Sequence, residues 1–74
     1  MATIMLVDDS RTILASMGQL IRDLGHAVEE HADGPSALGA LNKGAAIDLM
    51  ITDFNMPQMN GAQLIEATRK IGKY

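Results

Sequence analysis

Three aspartates stand where a chain can put them to chemical use. Asp8 and Asp9 close the apolar run 3–7, and Asp53 closes a second apolar run, 47–52. Carboxylates brought together either raise one another's pKa or recruit a cation. The chain has no cysteine, and its two histidines, His26 and His31, stand elsewhere, so a cluster of hard oxygen donors favours Mg²⁺ over zinc or copper. An aspartate held beside Mg²⁺ can attack a phosphoryl group and become an aspartyl phosphate. Asp53 is therefore the candidate nucleophile. Taken singly the residues are less informative: Asp8-Asp9 reads equally well as a helix N-cap with a solvated acid, and Asp53 as a loop acid. Their meaning depends on the elements that would bring them together.

Those elements alternate. Residues 3–7 form a short apolar run without in/out alternation, as expected of a buried parallel strand. A helix follows, capped by Asp9 or Ser10, with Ile13, Leu14, Met17, Leu20, Ile21 and Leu24 on one apolar stripe and Gly25 at its left-handed end. Residues 27–32 form a weaker, charged strand suited to a sheet edge. Asp33-Gly34 turns into a second helix with Pro35 at its first position. Residues 47–52 make a third strand, and a third helix runs from Gly61 to about Ile71. The order β-α-β-α-β-α predicts parallel strands with right-handed crossovers. All strand ends then share one edge, and with strands one and three adjacent, about 4.8 Å apart, the three carboxylates converge.

Composition bounds what the chain can be. At 74 residues it is a single domain, of a size that buries only about 60% of its unfolded surface. Without cysteine or a leader-like segment it is expected in the cytoplasm, and no apolar run approaches the roughly 20 residues that cross a bilayer. A net charge of -3 with no basic cluster argues against direct nucleic-acid binding. Aromatics are 3%, so the core is expected to be aliphatic, with methionines as filler rather than a peptide groove. His26 and His31 lack ligand spacing and are expected to be exposed turn and edge residues; Glu29-Glu30 reads as a solvated edge.

Val7-Asp8-Asp9-Ser10, Asp53 and Asn55-Met56-Pro57-Gln58-Met59-Asn60-Gly61 occur in order, and together they resemble the receiver domain of two-component response regulators, most like the chemotaxis type. Residues 33–38 also resemble the start of that family's second helix. The likeness covers the whole chain, 1–74. It implies a flavodoxin-like fold, with a strand order beginning 2-1-3 that comes from the family, itself a known instance of this fold, and not from the sequence. It further implies Asp53 as phospho-acceptor, Asp9 as a direct Mg²⁺ ligand and Asp8 as an acid that binds the metal mainly through water. Asn55 would add its backbone carbonyl. Met56, Pro57 and Gly61 would shape the loop, Gly61 through its conformational freedom. A histidine kinase would donate the phosphoryl group, making the chain a signalling phospho-acceptor rather than an enzyme.

The sequence also departs from that family. A receiver has five strands and five helices, and only three of each are expected here, so the fold class is a truncated receiver lacking the last two β-α units. The family's switch hydroxyl follows strand four and its phosphate-binding lysine follows strand five; neither has a match, and Lys70 and Lys73 at a helix end are no substitutes. Phosphotransfer is expected to be slow and signalling impaired. Strand three, with Leu49-Met50-Ile51, becomes an exposed edge and part of the first helix stays uncovered, which predicts a homodimer or larger homo-oligomer across a two-fold axis. The competing reading is a self-associating fragment with a vestigial acidic metal pocket and no phosphotransfer. Aspartate-nucleophile phosphatases and dehalogenases fit worse, because position 55 is Asn rather than Asp. A dinucleotide fold would need a Gly-rich turn where Asp-Asp-Ser stands.

Overall fold

The computed structural model describes residues 1–74. The elements are β1 (Thr3–Val7), α1 (Arg11–Asp23), β2 (Ala27–His31), α2 (Gly34–Asn42), β3 (Leu49–Thr52) and α3 (Gly61–Lys70). All three strands are parallel, in the order β2-β1-β3. β1 is thus covered on both flanks and both faces. Its unbroken apolar sequence is explained by position: Met5 and Val7 are wholly buried, and Ile4 and Leu6 nearly so. Met5 and Val7 join Ala37 and Leu41 of α2, Leu64 of α3 and Met56 in one aliphatic cluster. The alternate residues, Ile4 and Leu6, point to the opposite face, where α1 lies.

Local chemistry fixes where each helix starts. Ser10 caps α1, its Oγ accepting from the Ile13 N–H at 3.3 Å, while Asp33 caps α2 by accepting from the Ser36 N–H at 2.7 Å. At α3, Asn60 accepts from the Gln63 N–H at 2.8 Å and Gln63 Oε1 accepts from the Asn60 N–H at 2.9 Å, a reciprocal capping box. Gly25 ends α1 with φ +93°, the left-handed turn that a β-carbon disfavours. α2 begins one residue earlier than expected, so Pro35 is its second residue. β3 starts at Leu49, not Ile47, because the Asp48 carboxylate accepts from the Thr3 N–H at 2.7 Å and closes the ladder with a side chain.

The stripe on α1 is only half used. Leu14 is buried and Met17 and Ile21 are half-buried, but Ile13, Leu20 and Leu24 are 39%, 65% and 76% exposed. The histidines correct the sequence reading. His26 Nδ1 accepts from the Ala2 N–H at 3.0 Å, and the His31 side chain is only 13% exposed, bonded to Glu29 and Ser36. Nor is Glu30 simply solvated, since Arg22 on α1 pairs with it at 3.0 Å.

β3 has one bonded flank and one free flank. The Asp53 N–H donates to the Val7 carbonyl at 2.8 Å, so by the alternation of a parallel strand the backbone groups of Met50 and Thr52 point away from β1. Beside that flank runs a groove of about 510 Å³ whose apolar lining includes Leu49, Met50, Ile65 and Tyr74. At its end, Lys73 Nζ donates to the Gly44 carbonyl at 2.8 Å, and the Tyr74 hydroxyl bonds the Leu41 and Ala45 carbonyls. Lys73 is thereby held by the loop that precedes β3, away from the strand ends. Lys70 faces Glu66 in an exposed pair. No helix is long and apolar enough to cross a membrane.

Candidate functional site: an acidic cluster at the strand ends

β1 and β3 are hydrogen-bonded neighbours with Val7 opposite Thr52, so the residues that follow each strand leave the sheet side by side. Asp8, Asp9 and Asp53 accordingly place carboxylate oxygens within 4.8 Å of one another. Asp8 and Asp53 are half-buried and Asp9 is exposed. The backbone bond from Asp53 to Val7 roots the third carboxylate, while Asp8 Oδ1 accepts from the Ser10 N–H at 2.9 Å. None of the three pairs with a Lys, Arg or His; the ion pairs of the molecule lie elsewhere. Three like charges at this spacing repel by about 1 kcal/mol per pair at water-like dielectric, and by more where solvent is thinned. A divalent cation removes that repulsion, and an all-oxygen, partly open donor set is the kind Mg²⁺ accepts.

The loop after β3 is tied to the core. Met56 is 9% exposed and belongs to the central aliphatic cluster, which anchors the loop from beneath. Asn55 and Pro57 are exposed beside it. Gln58 takes φ +71°, and the Met59 N–H reaches the Pro57 carbonyl at 2.7 Å, so the loop reverses within three residues. Met59 then fills the space over Gly34, where a β-carbon would lie 2.9 Å from its sulfur.

Gly61 serves the site differently from the expectation. Its φ is not positive, so conformational freedom is not what the position uses. A β-carbon there would sit 2.6 Å from the Asp53 carbonyl oxygen and 3.1 Å from the Phe54 Cα, and the Gly61 N–H donates to the Phe54 carbonyl at 2.8 Å. The first residue of α3 is therefore pressed against the backbone that carries Asp53. The Thr52 hydroxyl, which sequence reasoning overlooked, donates to the same Asp53 carbonyl at 2.9 Å. Phe54, also overlooked, is 58% exposed in the loop directly after Asp53. Its only sequence signal was its type, the chain's one phenylalanine directly after an acidic strand end.

Comparison with known proteins agrees with this geometry. The family model of the response regulator receiver domain matches residues 4–73. A chemotaxis protein CheY homolog of Campylobacter jejuni is 38% identical over 72 residues, covering 96% of this chain and 55% of its own length. The chemotaxis protein CheY of Pseudomonas aeruginosa is 42% identical over 67 residues, covering 89% of this chain and 53% of its own. The chain thus spans about half the length of these curated relatives. Among solved structures, the chemotaxis protein CheY4 of Vibrio cholerae superposes with a TM-score of 0.94 at 39% identity, over 100% of this chain and 61% of that one. The family model covers nearly the whole chain and curated relatives near 40% identity align along most of it, so the chain belongs to the response regulator receiver domains.

Proposed function

We propose that the chain is a phospho-accepting signalling module in which Asp53 takes a phosphoryl group from a histidine kinase. One observation carries the reading: three carboxylates from two adjacent strand ends lie within 4.8 Å, with no cationic side chain paired to them. Asp8, Asp9 and Asp53 would hold Mg²⁺ together with the Asn55 backbone carbonyl. The ion, when bound, supplies positive charge for the phosphoryl oxygens. The chain's own residues do the rest. An Asp53 carboxylate oxygen forms the bond to phosphorus as the phosphorus–nitrogen bond of a phosphohistidine breaks, while the Val7, Thr52 and Gly61 contacts fix the backbone from which that carboxylate projects. Receiver domains are signalling modules, and no turnover of a substrate is assigned to this one. An acyl phosphate is cleaved by hydroxylamine whereas a serine or threonine phosphate is not. A phosphoryl adduct formed from a small phosphodonor with Mg²⁺ should therefore vanish on hydroxylamine treatment; a resistant adduct would contradict the assignment.

A second reading is favoured by the free flank of β3. Its outward backbone groups, the exposed Leu49 and Ile65, and the groove beside them suit pairing of the 74-residue chain with a second copy, so that self-association accompanies the acidic pocket.

A further inference from the structure

One group of side chains is organised for chemistry and plays no part in phosphotransfer. Glu29 and His31 lie two residues apart on β2, and Ser36 is in the first turn of α2. His31 Nε2 lies 2.9 Å from Glu29 Oε1, and His31 Nδ1 lies 2.8 Å from Ser36 Oγ. An ionised carboxylate can only accept, so Glu29 requires the proton on Nε2. In the neutral imidazole Nδ1 is then a bare lone pair, and the 2.8 Å contact is the Ser36 hydroxyl donating to it. The His31 side chain is 13% exposed, whereas Ser36 is exposed to solvent. A shielded base, oriented by a carboxylate and bonded to an accessible hydroxyl, is the arrangement by which serine is made nucleophilic.

We propose that Glu29, His31 and Ser36 form a base-activated serine, making Ser36 an acceptor for activated acyl esters. Ser36 Oγ forms a bond to the acyl carbon, the ester carbon–oxygen bond breaks, and the hydroxyl proton passes to His31 Nδ1 and then to the departing alkoxide. Glu29 and His31 are positioning and base residues in that order. The first turn of α2 provides no oxyanion hole: Pro35 has no N–H, and the Ser36 N–H is taken by the Asp33 carboxylate. The relay therefore supports a single transfer onto Ser36 rather than turnover. The placement is independent of Asp53, so it stands or falls apart from phosphotransfer.

The test uses a fluorophosphonate ester on the full chain, followed by peptide mapping. Labelling forms the Ser36 oxygen–phosphorus bond, breaks the phosphorus–fluorine bond and moves the hydroxyl proton to His31. The other two serines are internal references. Ser16 Oγ donates to the Thr12 carbonyl and Ser10 Oγ accepts from a backbone N–H, so neither faces a base. Ser36 is expected to label at least about 100-fold faster than either. His31→Gln, which preserves a hydrogen-bonding side chain, should bring Ser36 down to the reference rate, and Glu29→Gln should lower it while leaving the circular dichroism spectrum unchanged. Equal labelling of the three serines would overturn the proposal, as would an undiminished Ser36 rate in either folded variant. The trio would then be only a staple between β2 and α2.

Discussion

At the scale of single residues, the acidic site is a balance of repulsion and restraint. Asp8, Asp9 and Asp53 repel one another, and a cation that binds only the folded chain stabilises it by mass action. Saturating Mg²⁺ at about 100 times its dissociation constant is worth about 2.7 kcal/mol. Thermal unfolding should therefore shift upward with Mg²⁺ in the wild type and respond little in Asp9→Ala. An equal shift in both would place the ion elsewhere. Gly61 makes a second residue-scale prediction. Its missing β-carbon leaves room for the Asp53 carbonyl, with 2.6 Å available where a contact needs more than 3 Å, and the obstacle is backbone, which cannot rotate away. Gly61→Ala should cost about 1–3 kcal/mol in urea unfolding and lower phosphoryl uptake at Asp53. A variant as stable as the wild type would show that the loop yields freely.

At the scale of elements, the sequence disclosed the order of strands and helices because its signals were local. The apolar run of β1, the caps at Ser10 and Asp33 and the glycine after α1 each act within a few residues. Asn60→Ala removes half of a reciprocal cap and should destabilise the fold by about 1 kcal/mol by denaturant titration, with a corresponding loss at the loop before α3. What the sequence hid was long-range. The Asp48 bond to Thr3, which trims β3, joins residues 45 apart. Periodicity on α1 likewise counted Leu20 and Leu24 as core, since a stripe shows which residues share a face but not how wide the covering layer is. Leu24→Gln should change stability by no more than about 0.5 kcal/mol, whereas Leu64→Ala in the buried cluster should cost about 2–5 kcal/mol. Similar losses at both positions would mean that α1 is covered in solution. His31 was misjudged for a different reason: its partners Glu29 and Ser36 are only two and five residues away, but Ser36 reaches it only once α2 packs beside β2.

At the scale of the whole molecule, three strands and three helices leave little surplus stability. Six buried residues form one small aliphatic cluster, Ile4, Leu6 and Leu14 are buried outside it, and the exposed Leu49 and Ile65 lie along the free flank of β3. Self-association through that flank predicts concentration-dependent sedimentation, and Leu49→Lys, which places a charge on the edge, should shift the chain toward monomer without disturbing the acidic cluster. A chain that sediments as a monomer at high concentration would rule the edge contact out. The β3 flank and the strand ends are different parts of the same strand, so loss of association in Leu49→Lys and retention of phosphoryl uptake at Asp53 should be separable.

The role proposed for Asp8, Asp9 and Asp53 is a cation-assisted phospho-acceptor assembled at neighbouring strand ends. Intact-mass measurement after incubation with a small phosphodonor and Mg²⁺ tests it most directly, with Asp53→Asn and a chelated sample alongside. The expected result is one phosphoryl adduct on the wild-type chain and none in either control. A folded chain that acquires no adduct, or one that acquires it equally with Asn at position 53 or with the metal removed, would contradict the account.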